Sequence, residues 1–214
     1  LGIHFFNPPR YMYLVELITT PTTRPDIVDQ LETFVTSAVG KGVVRAKDTP
    51  NFIANRTGIA GGLFTMIEVE KSGLTYDVVD DLTGKRMGRA SSATYRTLDI
   101  VGTDIMSKGS QTMRDNLPHD PFLANFGEPP VVTRMLEKGW LGQKAGSGFY
   151  KKEGKTILRL DPATMTYVPS GAKADKEVTD MLKLPVAARV KALRESSHPQ
   201  AQLIWAIIRN NLHY

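Results

Sequence analysis

Cysteine is absent from this chain of 214 residues. Disulfides, thiolate metal sites and cysteine nucleophiles are excluded with it. Histidine is scarce: there are four, none in the HxxxH or HExxH spacing that turns two imidazoles toward one zinc ion. No metal site is therefore expected. No apolar run approaches the roughly 20 residues of a membrane-spanning helix. No basic run is interleaved with aromatics, so nucleic-acid binding has no support. No low-complexity tract dominates, which excludes disorder, collagen and coiled coil as the main state. Neither sign of charge prevails strongly: 27 Lys and Arg stand against 22 Asp and Glu, a net charge of +5 spread along the chain. That balance suits a solvated surface, or, in a sharper reading, an anionic ligand such as a phosphorylated cofactor.

What is present is 41% hydrophobic residues, enough for one large core or two smaller ones. Residues 2–6, Gly-Ile-His-Phe-Phe, form a short apolar strand stopped by Asn7-Pro8-Pro9. A chain that starts with Leu in mid-strand reads as a piece of a longer protein. Residues 13–18 give a second strand. From Pro25 the period becomes helical, with Ile27, Leu31, Phe34, Val35 and Ala38 on one stripe. Val43 and Val44 open a third strand. Beyond Pro50 the pattern turns helical, with Thr49 suited to the N-cap and Pro50 to the first helical position. Three glycines in that helix, Gly58, Gly61 and Gly62, predict another backbone packed close to it. Further helices are predicted near 76–82, 97–107, 109–115, 130–138, 185–195 and 199–212. A Gly-rich loop is expected at 142–150, a hairpin at 155–168 and a linker at 169–177. The loop lacks the GK[ST] order of a phosphate-binding loop.

One pair of residues points to chemistry. If residues 2–6 and 14–18 run antiparallel about Arg10, partner numbers sum to 20 and His4 faces Glu16 on one side of the sheet. A carboxylate beside an imidazole fixes its tautomer, which a general base needs when it takes a proton from an alcohol. From spacing alone, a histidine satisfied in a strand opposite a solvent-exposed Glu fits better. Asn55, in Asn-Phe-Ile-Ala-Asn-Arg, could donate to a substrate oxygen or simply cap and pack. Asn7 is the other neutral polar candidate.

Four segments carry a resemblance. Gly-Ile-His-Phe-Phe-Asn-Pro-Pro followed by Val-Glu-Leu, Thr-Pro-Asn-Phe-Ile-Ala-Asn-Arg, Ser-Ala-Thr-Tyr-Arg-Thr-Leu-Asp-Ile-Val-Gly-Thr-Asp and Gly-Gln-Lys-Ala-Gly-Ser-Gly-Phe-Tyr occur in this order across residues 1–150. Together they resemble the 3-hydroxyacyl-CoA dehydrogenase family. The resemblance implies NAD-dependent oxidation of an L-3-hydroxyacyl-CoA to the 3-ketoacyl-CoA in fatty-acid β-oxidation. It makes His4 the general base, Glu16 its orienting partner, Asn55 a substrate contact near the reacting carbon and Asn7 a residue lining the site near the nicotinamide. It implies a mostly α chain. Residues 1–49 would be the last strands and helix of a truncated NAD-binding Rossmann domain. Residues 50–150 would be an all-helical domain like the C-terminal domain of 6-phosphogluconate dehydrogenase, binding an acyl-CoA substrate and dimerising. Residues 151–214 would begin a second helical repeat, as in fused β-oxidation proteins. The family's GxGxxG loop and acidic ribose ligand, which hold NAD, are not in these residues. The main cofactor site is therefore expected upstream, and a cytoplasmic location follows by analogy with bacterial members. Two departures stand out: Pro50-Asn51-Phe52 replaces the family's usual Pro-Gly-Phe, and Gly102-Thr103-Asp104 replaces Gly-Leu-Asp. Asn tolerates positive φ better than most residues, so the first turn is expected to survive. Two other readings fit the pattern less well: a hydroxy-acid dehydrogenase using a catalytic Lys, and a non-catalytic crystallin or scaffold relative.

Overall fold

The computed structural model describes all 214 residues, which divide into two compact units, Leu1–Arg56 and Thr57–Tyr214. Helix dominates, with two separate three-stranded sheets.

In the first unit, β1 (Gly2–Phe5) pairs antiparallel with β2 (Leu14–Thr19), and β2 pairs parallel with β3 (Gly42–Lys47). Helix α1 (Pro25–Ser37) makes the crossover that a parallel pair requires. β2 is the central strand and is buried on both faces, from Val15 through Ile18. One face places Val15 and Leu17 against Val28 and Val35 of α1. The opposite face aligns His4, Glu16 and Val44 across the three strands. The buried stripe of α1 differs from the expected one. Val28, Leu31 and Val35 face the sheet, while Ile27 and Phe34 are 40% and 59% exposed. Spacings of three and four are both helical, so two overlapping stripes fit the same pattern and the roll of the helix on the sheet decides between them.

Helix α2 (Ala54–Ser72) starts four residues later than the expected Pro50. Asn51 and Phe52 sit in left-handed conformations, φ 62° and 52°, which no right-handed helix accommodates. Asn51 thus takes the positive φ expected of it, and no Thr49 cap forms.

The second unit packs α2, α3 (Tyr76–Thr83), α4 (Tyr95–Val101), α5 (Thr103–Asn116) and α6 (Pro130–Glu137) around one apolar cluster. Leu63, Met113, Met135 and Phe149 are fully buried there. A second cluster joins Val78 and Leu82 of α3 to α7 (Lys176–Met181), α8 (Val186–Glu195) and α9 (Pro199–His213) through Val178, Leu193 and Ile204. Each fully buried Leu or Ile contributes about 1.5–3 kcal/mol. The expected hairpin gains a strand: β4 (Tyr150–Glu153), β5 (Thr156–Asp161) and β6 (Thr166–Pro169) form an antiparallel meander. The expected helix 97–107 is broken at Gly102, whose φ of 101° only glycine adopts readily. Of the three helical glycines, only Gly61 has a tight neighbour, the Asn211 side chain of α9, and a Cβ at Gly58 meets nothing within 4 Å. The close approach is to a side chain, not to a second backbone.

No helix is long and apolar enough to cross a membrane.

Candidate active site

The expected register holds: His4 is the cross-strand partner of Glu16. Their side chains meet, His4 Nδ1 lying 2.7 Å from Glu16 Oε2. A carboxylate only accepts, so Nδ1–H donates to it. Nε2 is left with the lone pair and has no hydrogen bond from the protein. The ring is about a quarter exposed, whereas Glu16 is 1% exposed. The second carboxylate oxygen, Oε1, accepts from the backbone N–H groups of Ile53 and Ala54 at 3.0 and 2.9 Å. Glu16 is therefore the cap of α2, and the positive end of the helix dipole lies against it. Three donors compensate the removal of this carboxylate from water.

Two aromatic rings pack against the imidazole, both at a tilt. Phe6 lies 4.5 Å and Phe52 5.6 Å from it, centroid to centroid. The left-handed conformation at Phe52 is what brings that ring back to β1. The Nδ1 tether and the two neighbouring rings restrict the imidazole while Nε2 stays open.

Asn55 follows Ala54, whose N–H Glu16 holds, and its side chain is exposed in the first turn of α2. Asn7 follows Phe6 and is also exposed. Neither amide hydrogen-bonds to the His4–Glu16 pair. The flanking rings and the two capped N–H groups were not foreseen from the sequence. One signal was available: an acidic residue inside the apolar run Leu-Val-Glu-Leu-Ile.

The second unit also buries carboxylates. Asp99 accepts from Phe149 N–H and Tyr150 N–H, both at 2.8 Å. Burial pushes Asp99 up to about 6, and these two bonds offset it only in part. Asp80 accepts from the N–H groups of Thr94, Tyr95 and Arg96 at the start of α4, and from the Tyr150 hydroxyl. Burial raises its pKa too.

The comparisons with known proteins bear directly on these motifs. Residues 1–49 match the family model "3-hydroxyacyl-CoA dehydrogenase, NAD binding domain", and residues 52–152 match "3-hydroxyacyl-CoA dehydrogenase, C-terminal domain". The whole chain is 45% identical, over 216 aligned residues, to a probable 3-hydroxyacyl-CoA dehydrogenase of Bacillus subtilis, of which it covers 27%. The chain belongs to the 3-hydroxyacyl-CoA dehydrogenase family. A second probable 3-hydroxyacyl-CoA dehydrogenase, from Deinococcus radiodurans, is 47% identical over 71% of this chain and 43% of that protein. Among solved structures, FadB2 of Mycobacterium tuberculosis is similar with a TM-score of 0.63 at 32% identity, covering 71% of this chain and 52% of that one. The chain thus spans between about a quarter and a half of the length of these relatives.

Within the family's C-terminal domain, two of the four motifs close on each other. Asp99 of the Thr-Leu-Asp segment holds the Gly-rich loop by Phe149 and Tyr150. A Cβ at Gly142 or Gly148 would collide with the Asp99 backbone or carboxylate. These glycines serve close packing rather than a phosphate.

A dinucleotide pyrophosphate needs a Gly-rich turn leading from a strand into a helix N-terminus with free N–H groups. The turn into α1, Thr20–Arg24, has no glycine, and the first N–H groups of α2 are held by Glu16. The chain offers no pyrophosphate cradle of its own.

Proposed function

We propose that this chain supplies the acid–base half of an NAD-dependent L-3-hydroxyacyl-CoA dehydrogenase acting in fatty-acid oxidation. The observation that carries the reading is the 2.7 Å contact between His4 Nδ1 and Glu16 Oε2, with Nε2 left open. In dehydrogenases of this kind NAD supplies the hydride acceptor. The residues of this chain handle the proton. His4 Nε2 takes it from the 3-hydroxyl of the bound acyl-CoA as the carbonyl forms. The ring then carries a positive charge next to the Glu16 carboxylate, which has been held in place in advance by α2. No reorganisation of water is needed around it. Asn55, exposed one residue beyond the capped N–H groups, is assigned to the substrate oxygen. Asn7 is assigned to the nicotinamide side of the site.

In the same reading residues 1–49 are the end of a Rossmann domain, and residues 50–150 are the helical substrate domain through which two copies pair. Residues 151–214 open a second helical repeat, and their packing into one unit with 57–150 supports treating them as part of the helical body. The pyrophosphate site belongs to other residues of the intact enzyme.

The test is His4→Gln in the intact enzyme. It lowers kcat by about 10²–10⁴, the usual range for a lost general base, and leaves KM for the acyl-CoA nearly unchanged. A variant with near-normal kcat removes His4 from the mechanism.

A further inference from the structure

A cavity of about 540 Å³ lies wholly within the second unit, at the C-terminal end of α2. Its floor is apolar, made by Met66, Val69, Leu74 and Val131. Three polar side chains converge on it from three elements: Tyr76 from the first turn of α3, Arg134 from α6 and Arg159 from β5. The volume and the mixture of an apolar wall with a few convergent polar groups are those of a small-molecule site.

Arg159 is the informative residue. Its side chain is 19% exposed, and its Nε is buried without a hydrogen-bond partner. Asp77 Oδ1 lies 3.4 Å from that nitrogen, close enough to offset charge. Asp77, however, is already full. Its Oδ1 accepts from the Thr75 hydroxyl and Val78 N–H, at 2.6 and 3.1 Å, and its Oδ2 from Gly171 and Ala172 N–H, at 2.8 and 2.9 Å. Four donors occupy the four acceptor positions of a carboxylate. The guanidinium is left with donors to spare at the cavity wall.

The other two groups are similarly underused. Arg134 gives one NH2 group to the Pro162 carbonyl at 2.7 Å and keeps the rest of its fork. The Tyr76 hydroxyl makes no hydrogen bond within the protein. Its ring is fixed against Tyr95 and Phe149, at 4.2 and 5.2 Å. Burial holds this phenol well above its ordinary range, so it remains a donor at neutral pH. Glu70 and Asp161 also line the cavity. With Asp77 they balance the two guanidinium charges, so a head group is held here by directed donors rather than by net charge, and a doubly charged phosphate monoester is opposed.

We infer that this cavity binds an apolar monocarboxylic acid, its carboxylate received by Arg159, Arg134 and the Tyr76 hydroxyl and its hydrocarbon body laid along Met66, Val69, Leu74 and Val131. None of these residues belongs to the His4–Glu16 pair or its flanking rings.

Decanoate, decanol and decyl phosphate, each below its micelle-forming concentration, are titrated calorimetrically into the 214-residue chain. Decanoate saturates a single site at least about tenfold more tightly than decanol, as expected for charge-assisted hydrogen bonds, and more tightly than decyl phosphate. Tyr76→Phe and Arg134→Gln each weaken decanoate about three- to tenfold and leave decanol binding unchanged. Equal binding of acid and alcohol, tighter binding of the phosphate, no saturation by decanoate at millimolar concentration, or variants that bind decanoate as before would each overturn the assignment. Where a variant fails to fold, the three-probe series on the unaltered chain decides alone.

Discussion

Glu16 in the first unit and Asp99 in the second are both buried carboxylates, and both accept two consecutive backbone N–H groups. They differ in one partner. Glu16 keeps an oxygen for an imidazole that reaches solvent, while Asp99 spends both oxygens on the backbone of one loop. Burial with backbone donors alone makes a fastening. Burial with a mobile proton on the next side chain makes a candidate catalyst. A raised pKa does not separate the two cases: the strongly shifted carboxylate here, Asp99, is the fastening.

The largest effect that sharpens this contrast is Glu16→Gln. The amide oxygen can still cap α2, but its NH2 would donate to His4 Nδ1 and drive the ring proton to Nε2, the nitrogen that must be free. In the intact enzyme kcat falls about 10²–10⁴-fold. Thermal unfolding of the chain moves little. A large loss of stability with kcat preserved would make Glu16 a fastening like Asp99.

Next comes Gly148→Ala. Its Cβ would sit 2.6 Å from Gly142 Cα and against the Asp99 carboxylate, in a loop with no room to yield. Urea unfolding should show a loss of about 2–3 kcal/mol. Wild-type stability would mean that the loop is not locked by Asp99.

The pH dependence follows in size. The folded chain binds a proton on Asp99 up to about pH 6, whereas an unfolded Asp releases it near 3.9. The stability supplied by the neutral carboxyl is complete below the unfolded value and is lost as pH rises through about 6, amounting to about 2–3 kcal/mol at most. Asp99→Asn should flatten this fall between about pH 4 and 6 while lowering stability by about 1–2 kcal/mol for the acceptor lost. An unaltered slope would assign the fall to other groups.

The smallest effect is a gain. Gly58→Ala adds a methyl to open space on α2 and should stabilise the chain by about 0.5–1 kcal/mol. A loss would show that Gly58 has a close neighbour after all.

The legible part of this molecule was local. The strand pair and its register followed from spacing, because a turn centred on Arg10 sets partner numbers that sum to 20 and so pairs His4 with Glu16. The positive φ at Asn51 was legible from its side chain, but that at Phe52 was not, since no propensity favours it there. The start of α2 was misplaced for the same reason: its cap, Glu16, comes from a strand 37 residues earlier rather than from the neighbouring Thr49. Long-range acceptors also restrain the expected linker, of which residues 170–175 form neither helix nor strand. Residues 169–177 look unstructured by composition, yet Asp77 and Asp81 hold the N–H groups of Gly171, Ala172 and Ala174. Side chains reaching across the fold leave no periodic trace in the segment they restrain.

The double duty of Glu16 turns two backbone amides into a readout. Ile53 and Ala54 donate to the same carboxylate that faces His4, so a change of charge on the imidazole redistributes electron density at their acceptor. Their amide proton resonances should shift together as the ring gains or loses its proton. The imidazole thus carries its own spectroscopic gauge, at the first amides of the helix that Glu16 caps.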